Sequence, residues 1–297
     1  MTRNSQVILI TAAAVALYAG IRLLPVGSQV NHMDFRLEGK GAIEFCDPAN
    51  PQFIPVVSAR SPVVMTLKSD RPLARGEPVE FTLSLSTASG KAIGPADLIV
   101  EHTRKLHLLV VDPTLSDYQH LHPEPGRRVG EWKFTLTPSR AGDYRVFADF
   151  TPAATQRGLY AAADFTVPGT VATVINAGNT TWQNLGYRFE LVLPSVLNAG
   201  KPADLKFRIE SQGAMKEPVP LRPVMGAFAH LVAFDEARSG FAHLHPMETD
   251  LAQPPDSLRP ELSFKVTIPQ PGRYVIWAQV DLGGMEVFAP FWVDVLP

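Results

Sequence analysis

Six of the eight histidines fall into two triplets with the same spacing. His107 is followed thirteen residues later by His120-Leu121-His122-Pro123, and His230 thirteen residues later by His243-Leu244-His245-Pro246. A neutral imidazole nitrogen is a good ligand for Cu(II) and Zn(II), and three that converge nearly fill a tetrahedral site. Convergence depends on the backbone. Residues i and i+2 of a strand share a face, so His120 and His122 project together, ~7 Å apart along the chain. The stretch from His107 to His120 reads as a strand, a polar turn near Asp112–Asp117 and a return strand. If His107 lies opposite His120 or His122, all three rings meet; a register slip of one residue removes His107 from the group. The same holds for His230, His243 and His245. These six residues are the predicted metal ligands, for copper or zinc.

Neighbouring residues admit two readings. Asp112 and Asp235 could complete the ligand sets or orient a ring nitrogen, but at a strand end Asp also caps turns, and capping is the expectation. His102 and Met225 each stand five residues before the first histidine of a triplet. On a regular strand that odd step turns them away, so they are expected to be structural unless a bulge intervenes. Met247 and Met285 could offer thioether to Cu(I), though packing is the simpler role. Cys46 lies outside both triplets without a histidine at blue-copper spacing, and is expected to be a buried thiol. Nucleophile-elbow, His-Glu-x-x-His, phosphate-loop and dinucleotide motifs are missing from the sequence. A hydrolytic metal site would need a base, and Asp112, Asp235, Asp149 and Glu131 are the candidates. The expectation is a protein that is not an enzyme.

The spacing belongs to a longer internal repeat. Gly76–Leu83 parallels Gly200–Phe207, and Phe134…Gly142-Asp143-Tyr144 parallels Phe264…Gly272-Arg273-Tyr274. The second copy carries an insertion around Thr249–Pro260. The chain divides into an N-terminal segment (1–30), a connecting arm (31–60), repeat one (61–168), a linker (169–183) and repeat two (184–297). Short alternating or apolar runs recur between Gly/Pro/Ser/Asp clusters: 80–85, 107–111, 132–136, 144–149 and 162–167, then 207–209 and 264–268. The predicted fold class is all-β, with two tandem immunoglobulin-like β-sandwich repeats after an N-terminal apolar helix. Tyr144 and Tyr274, each following a Pro/Gly turn, suit the tyrosine corner of such sandwiches.

The 297 residues carry 27 Lys+Arg against 29 Asp+Glu, so nothing in the charge points to nucleic acid. One cysteine excludes an intrachain disulfide framework. Arg3 precedes an apolar run from Val7 to Ile21, which Arg22 ends. That pattern predicts a membrane anchor or a signal peptide, and hence the cell envelope or periplasm.

Tandem β-sandwiches behind an export segment, with His-x-His near a strand end, resemble uncharacterised bacterial envelope proteins. In outline they are also similar to periplasmic immunoglobulin-like copper-resistance proteins. The resemblance rests at motif level on His107, His120, His122 and on His230, His243, His245. It implies copper handling outside the cytoplasm. The copper-resistance family also uses a histidine at its mature N-terminus, for which this chain has no clear equivalent. Two functions are thus expected in competition. One is an extracytoplasmic metal-binding protein with a histidine triplet in each repeat. The other is a scaffolding module for an envelope partner, whose histidines merely lock hairpins.

Overall fold

The computed structural model describes residues 2–23, 30–35, 51–173, 177–213 and 217–297. Cys46 and much of the connecting arm lie outside the described residues. Repeat one contains β1 (Val63–Ser69), β2 (Val79–Thr87), β3 (His107–Val111), β4 (Tyr118–Leu121), β5 (Glu124–Pro125), β6 (Glu131–Leu136), β7 (Gly142–Phe150) and β8 (Leu159–Val167). They form two sheets, β1-β2-β6-β5 and β4-β3-β7-β8. Repeat two contains β9 (Thr181–Asn184), β10 (Tyr187–Val192), β11 (Pro202–Ser211), β12 (Leu221–Arg222), β13 (His230–Asp235), β14 (Phe241–Leu244), β15 (Glu261–Thr267), β16 (Gly272–Leu282) and β17 (Met285–Val295). Its sheets run β15-β11-β10-β9 and β12-β16-β13-β14, with β17 on β16. Neighbouring strands are antiparallel throughout.

Alternation explains the layering. In β2, Val79, Phe81, Leu83 and Leu85 are buried on one face, and they meet Leu108, Val110, Tyr144 and Val146 of the other sheet in a single core. Repeat two builds its own core from Phe189, Leu205 and Phe207 against Leu231, Ile276 and Ala278. The two tyrosines anchor their turns differently: the Tyr144 hydroxyl donates to Asp117 Oδ2 at 2.5 Å and accepts the Arg140 N–H at 2.9 Å, whereas the Tyr274 hydroxyl donates to the Gln270 carbonyl at 3.0 Å. The chain is thus mostly β, in four sheets and two repeated units.

A third apolar cluster joins the repeats. β3 and β13 are buried along both faces. Leu108 and Val110 enter the core of repeat one, whereas Leu109 and Val111 face outward to Val232, Phe234, Phe241, Val275 and Trp277 of repeat two. Phe147 and Tyr118 lie 6.0 and 5.4 Å from Phe234, ring to ring. Reciprocal bonds fasten the edge: Arg145 donates to the Arg238 carbonyl at 2.8 Å, and Arg238 to that of Asp143 at 2.5 Å. The arm is stitched in as well. Phe53 enters the core of repeat two, and Ile54 exchanges backbone bonds with Phe241. Position 240 must be glycine, because a Cβ there would lie 1.8 Å from the Ile54 carbonyl oxygen.

α1 spans Arg3–Leu23. Among the described residues, no helix is long and apolar enough to cross a membrane. The run from Val7 to Ile21 falls short of the ~20 apolar residues a span needs. Polar Asn4-Ser5-Gln6 precedes it, Arg22 ends it, and Thr, Ala and Gly dilute it.

Candidate metal centre

The hairpin register decides which rings meet. β3 pairs with β4 so that Leu108 faces Leu121 and Leu109 faces His120. One step further along the same register sets His107 opposite His122. In repeat two, Leu231 faces Leu244 and Val232 faces His243, which sets His230 opposite His245. The side chains of His107 and His120 therefore share a face with Leu109, and those of His230 and His243 share one with Val232. This is the face that meets the other repeat.

Within each triplet, one ring nitrogen from each histidine lies within 4.8 Å of those offered by the other two. His107 Nδ1 is 3.2 Å from His120 Nε2, and His230 Nδ1 is 3.4 Å from His243 Nε2. Two nitrogens ~2.0–2.1 Å from a tetrahedral ion stand about 3.3 Å apart. The outer nitrogens fix the tautomers. His107 Nε2 donates to the Glu101 carbonyl (3.1 Å), and His230 Nε2 to that of Val224 (3.0 Å). His120 Nδ1 donates to Gln279 Oε1 (2.8 Å), and His243 Nδ1 to Asp149 Oδ2 (3.1 Å). Gln279 is oriented by its own amide nitrogen, which donates to Glu286 at 3.2 Å. Each neutral ring has then spent its one N–H outward, and its lone pair faces another lone pair. Such a contact repels unless a cation lies between. His122 Nε2 and His245 Nε2 are buried with no hydrogen-bond partner, which costs about 1–3 kcal/mol apiece without a cation.

The two triplets form one assembly. His120 and His243 are 5.3 Å apart ring to ring, close to the 5.4 Å between His107 and His120 within a triplet. The outer bonds cross the junction: Gln279 of repeat two holds His120, and Asp149 of repeat one holds His243. The sequence did not reveal this, nor the roles of Asp149 and Gln279. They face His107 and His230 on the adjacent strands β7 and β16.

His102 departs from its expected position. Residues 101–104 form a tight turn, with His102 at φ 46° and Thr103 at φ 70°. The turn swings the imidazole over to His245, stacked at 3.7 Å and 19°. Met225, at φ 50°, occupies the matching turn of repeat two, 224–227. A cleft of about 610 Å³ leads to the cluster, lined among others by His102, Asp149, His243, His245 and Met247. Met247 and Met285 are both exposed rather than packed in a core. Asp112 and Asp235 cap turns, accepting the backbone N–H of Ser116 and Asp117, and of Ser239, respectively.

Burial is the first cause of depressed basicity at all seven rings, with repulsion between neighbours adding to it at the most buried. It holds His122 at about 4 and His230 at about 3. Burial also raises the Asp149 carboxyl, while His107 and His102 pull it back down. The rings thus stay neutral at pH 7, as ligands must. In the unfolded chain each takes a proton near pH 6.5, so acid favours unfolding. The stability of the metal-free protein is expected to be intact above pH 6.5 and to fall as pH drops toward 4. His230 alone should contribute about 1.4 kcal/mol per pH unit. Urea midpoints at pH 7.5 and 5.5 check this; equal midpoints would contradict it.

The family model described as "Domain of unknown function (DUF8832)" matches residues 59–171 and again residues 181–296. The chain belongs to this family. Each DUF8832 copy contributes one triplet, His107/His120/His122 in the first and His230/His243/His245 in the second. Among curated proteins none matches. Among solved structures, the DUF8832 pair is similar to trypsin-activated alpha-2-macroglobulin from Escherichia coli, at 13% identity and a TM-score of 0.24, over 79% of this chain and 18% of that one. Salmonella alpha-2-macroglobulin reacted with methylamine gives 13% and 0.24 over 84% and 17%. The chain thus spans less than a fifth of those proteins.

Proposed function

We propose that this protein binds two transition-metal ions, copper or zinc, one at His107/His120/His122 and one at His230/His243/His245. The observation that carries the reading is the pair of facing lone pairs at 3.2 and 3.4 Å, with the N–H of each ring already committed elsewhere. Hairpin-locking histidines would satisfy their nitrogens; those at His122 Nε2 and His245 Nε2 are buried and bare. Three imidazoles leave a fourth position on each ion for water or an incoming ligand. We read the protein as a binder or carrier rather than an enzyme, because Asp149 is already engaged in orienting His243. The basic start and apolar run of α1 support export, which would set this chemistry in the cell envelope, where an envelope protein could receive or supply the ion.

Metal analysis of the full chain after loading and desalting tests the reading. Two ions per chain are expected, falling to one in His120→Ala/His122→Ala and to one in His243→Ala/His245→Ala. Retention of both ions by either double variant would rule out these ligands.

A further inference from the structure

The triplets are copies in sequence, yet the groups behind them differ. The strand position facing the first histidine is Asp149 in repeat one and Gln279 in repeat two. Because these groups act across the junction, the triplet of repeat two is backed by a carboxylate and that of repeat one by an amide. His243 Nδ1 donates to Asp149 Oδ2, and His120 Nδ1 to Gln279 Oε1. The carboxylate of Glu286 is one amide further from the ring, beyond Gln279.

A carboxylate accepting the N–H of a ligating imidazole makes the other nitrogen a stronger donor and adds negative charge near the ion. An amide carbonyl does so far less, since it brings only a dipole. A second difference has the same sense. The turn of repeat one lays His102 on His245, whereas the matching turn of repeat two carries Met225 and has no imidazole to give His122. The second triplet therefore has one more imidazole beside it and a carboxylate bonded directly to one of its rings.

We propose, resting on the metal-binding reading, that the two centres are tuned to different charge states. The Asp149-backed triplet His230/His243/His245 is the tight site for a divalent cation. The Gln279-backed triplet His107/His120/His122 holds divalent ions less tightly and suits Cu(I). Asp149 and Gln279 are the positioning residues that set the difference, each serving the repeat to which it does not belong. Neither centre is complete in one repeat alone.

Competition titrations on the full chain test this, with Zn(II) against a chromophoric chelator and, anaerobically, Cu(I) against a Cu(I)-selective one. Wild-type protein should show two Zn(II) affinities, and His243→Ala/His245→Ala should delete the tighter. Asp149→Asn keeps an acceptor for His243 but removes the charge. It should weaken the tighter Zn(II) site by about 10–100-fold, with a smaller change in Cu(I) affinity. Gln279→Glu combined with Glu286→Gln, which exchanges the carboxylate and the amide so that no two carboxylates face each other, should tighten the weaker Zn(II) site. Misfolding cannot mimic that gain, and a purely structural Asp149 would not shift the Zn(II)-to-Cu(I) preference. Two equal Zn(II) sites, or an Asp149→Asn variant whose Zn(II) affinities are unchanged, would overturn the tuning and leave the metal reading standing. Failure of the wild-type chain to bind either ion would overturn both.

Discussion

Saturating the chelator-stripped protein with Zn(II) is expected to raise its melting temperature by about 15–30 °C. The lone pairs facing each other between His107 and His120, and between His230 and His243, repel in the empty centres. The bare nitrogens of His122 and His245 have lost water without gaining a partner. All of these are features of the folded state that a cation relieves and that the unfolded chain does not share. An ion binding only the folded form stabilises it by about 4 kcal/mol per site at a thousandfold excess over Kd. For a chain of this size class each kcal/mol moves the midpoint by about 2–4 °C. The variant lacking His120, His122, His243 and His245 should show no such rise. Equal shifts in that variant and the wild type would mean that the ions bind elsewhere.

Phe234→Ala is expected to cost about 3–5 kcal/mol, the range for emptying a large aromatic site in a packed core. Phe234 is fully buried and packs against Tyr118 and Phe147 of the other repeat. On β13 it shares a face with His230, and the backing residues Asp149 and Gln279 reach across the same junction. Loosening that junction should therefore lower metal affinity at both centres. Phe81→Ala serves as the control. Phe81 belongs to the core of repeat one alone, so its loss should lower stability comparably while leaving the affinity of the folded protein unchanged. If both variants bind metal like the wild type, the junction does not support the centres.

Much of this arrangement could be read along the chain, because it depends on short-range periodicity. The thirteen-residue step in each triplet fixes a hairpin, and the i, i+2 spacing of His120 and His122 fixes a face. The turn-capping roles of Asp112 and Asp235 followed from their positions at strand ends. The union of the two triplets was not read, since it depends on contacts between distant repeats. A signal for it was nevertheless present. His107–Val111 and His230–Phe234 are almost unbroken apolar runs, as expected of strands buried on both faces. One face belongs to the strand's own sandwich, so something else must cover the histidine-bearing face, and the other repeat does. His102 was missed because alternation holds only within a strand. The left-handed turn at His102-Thr103 breaks the count and brings the ring to His245.

X-ray absorption of the loaded protein addresses the metal ligands most directly. With zinc or copper at two equivalents, an inner shell of about three nitrogens at ~2.0 Å per ion is expected, with the outer scattering of imidazole rings. A shell of oxygen alone, or one with a single imidazole per ion, would contradict it.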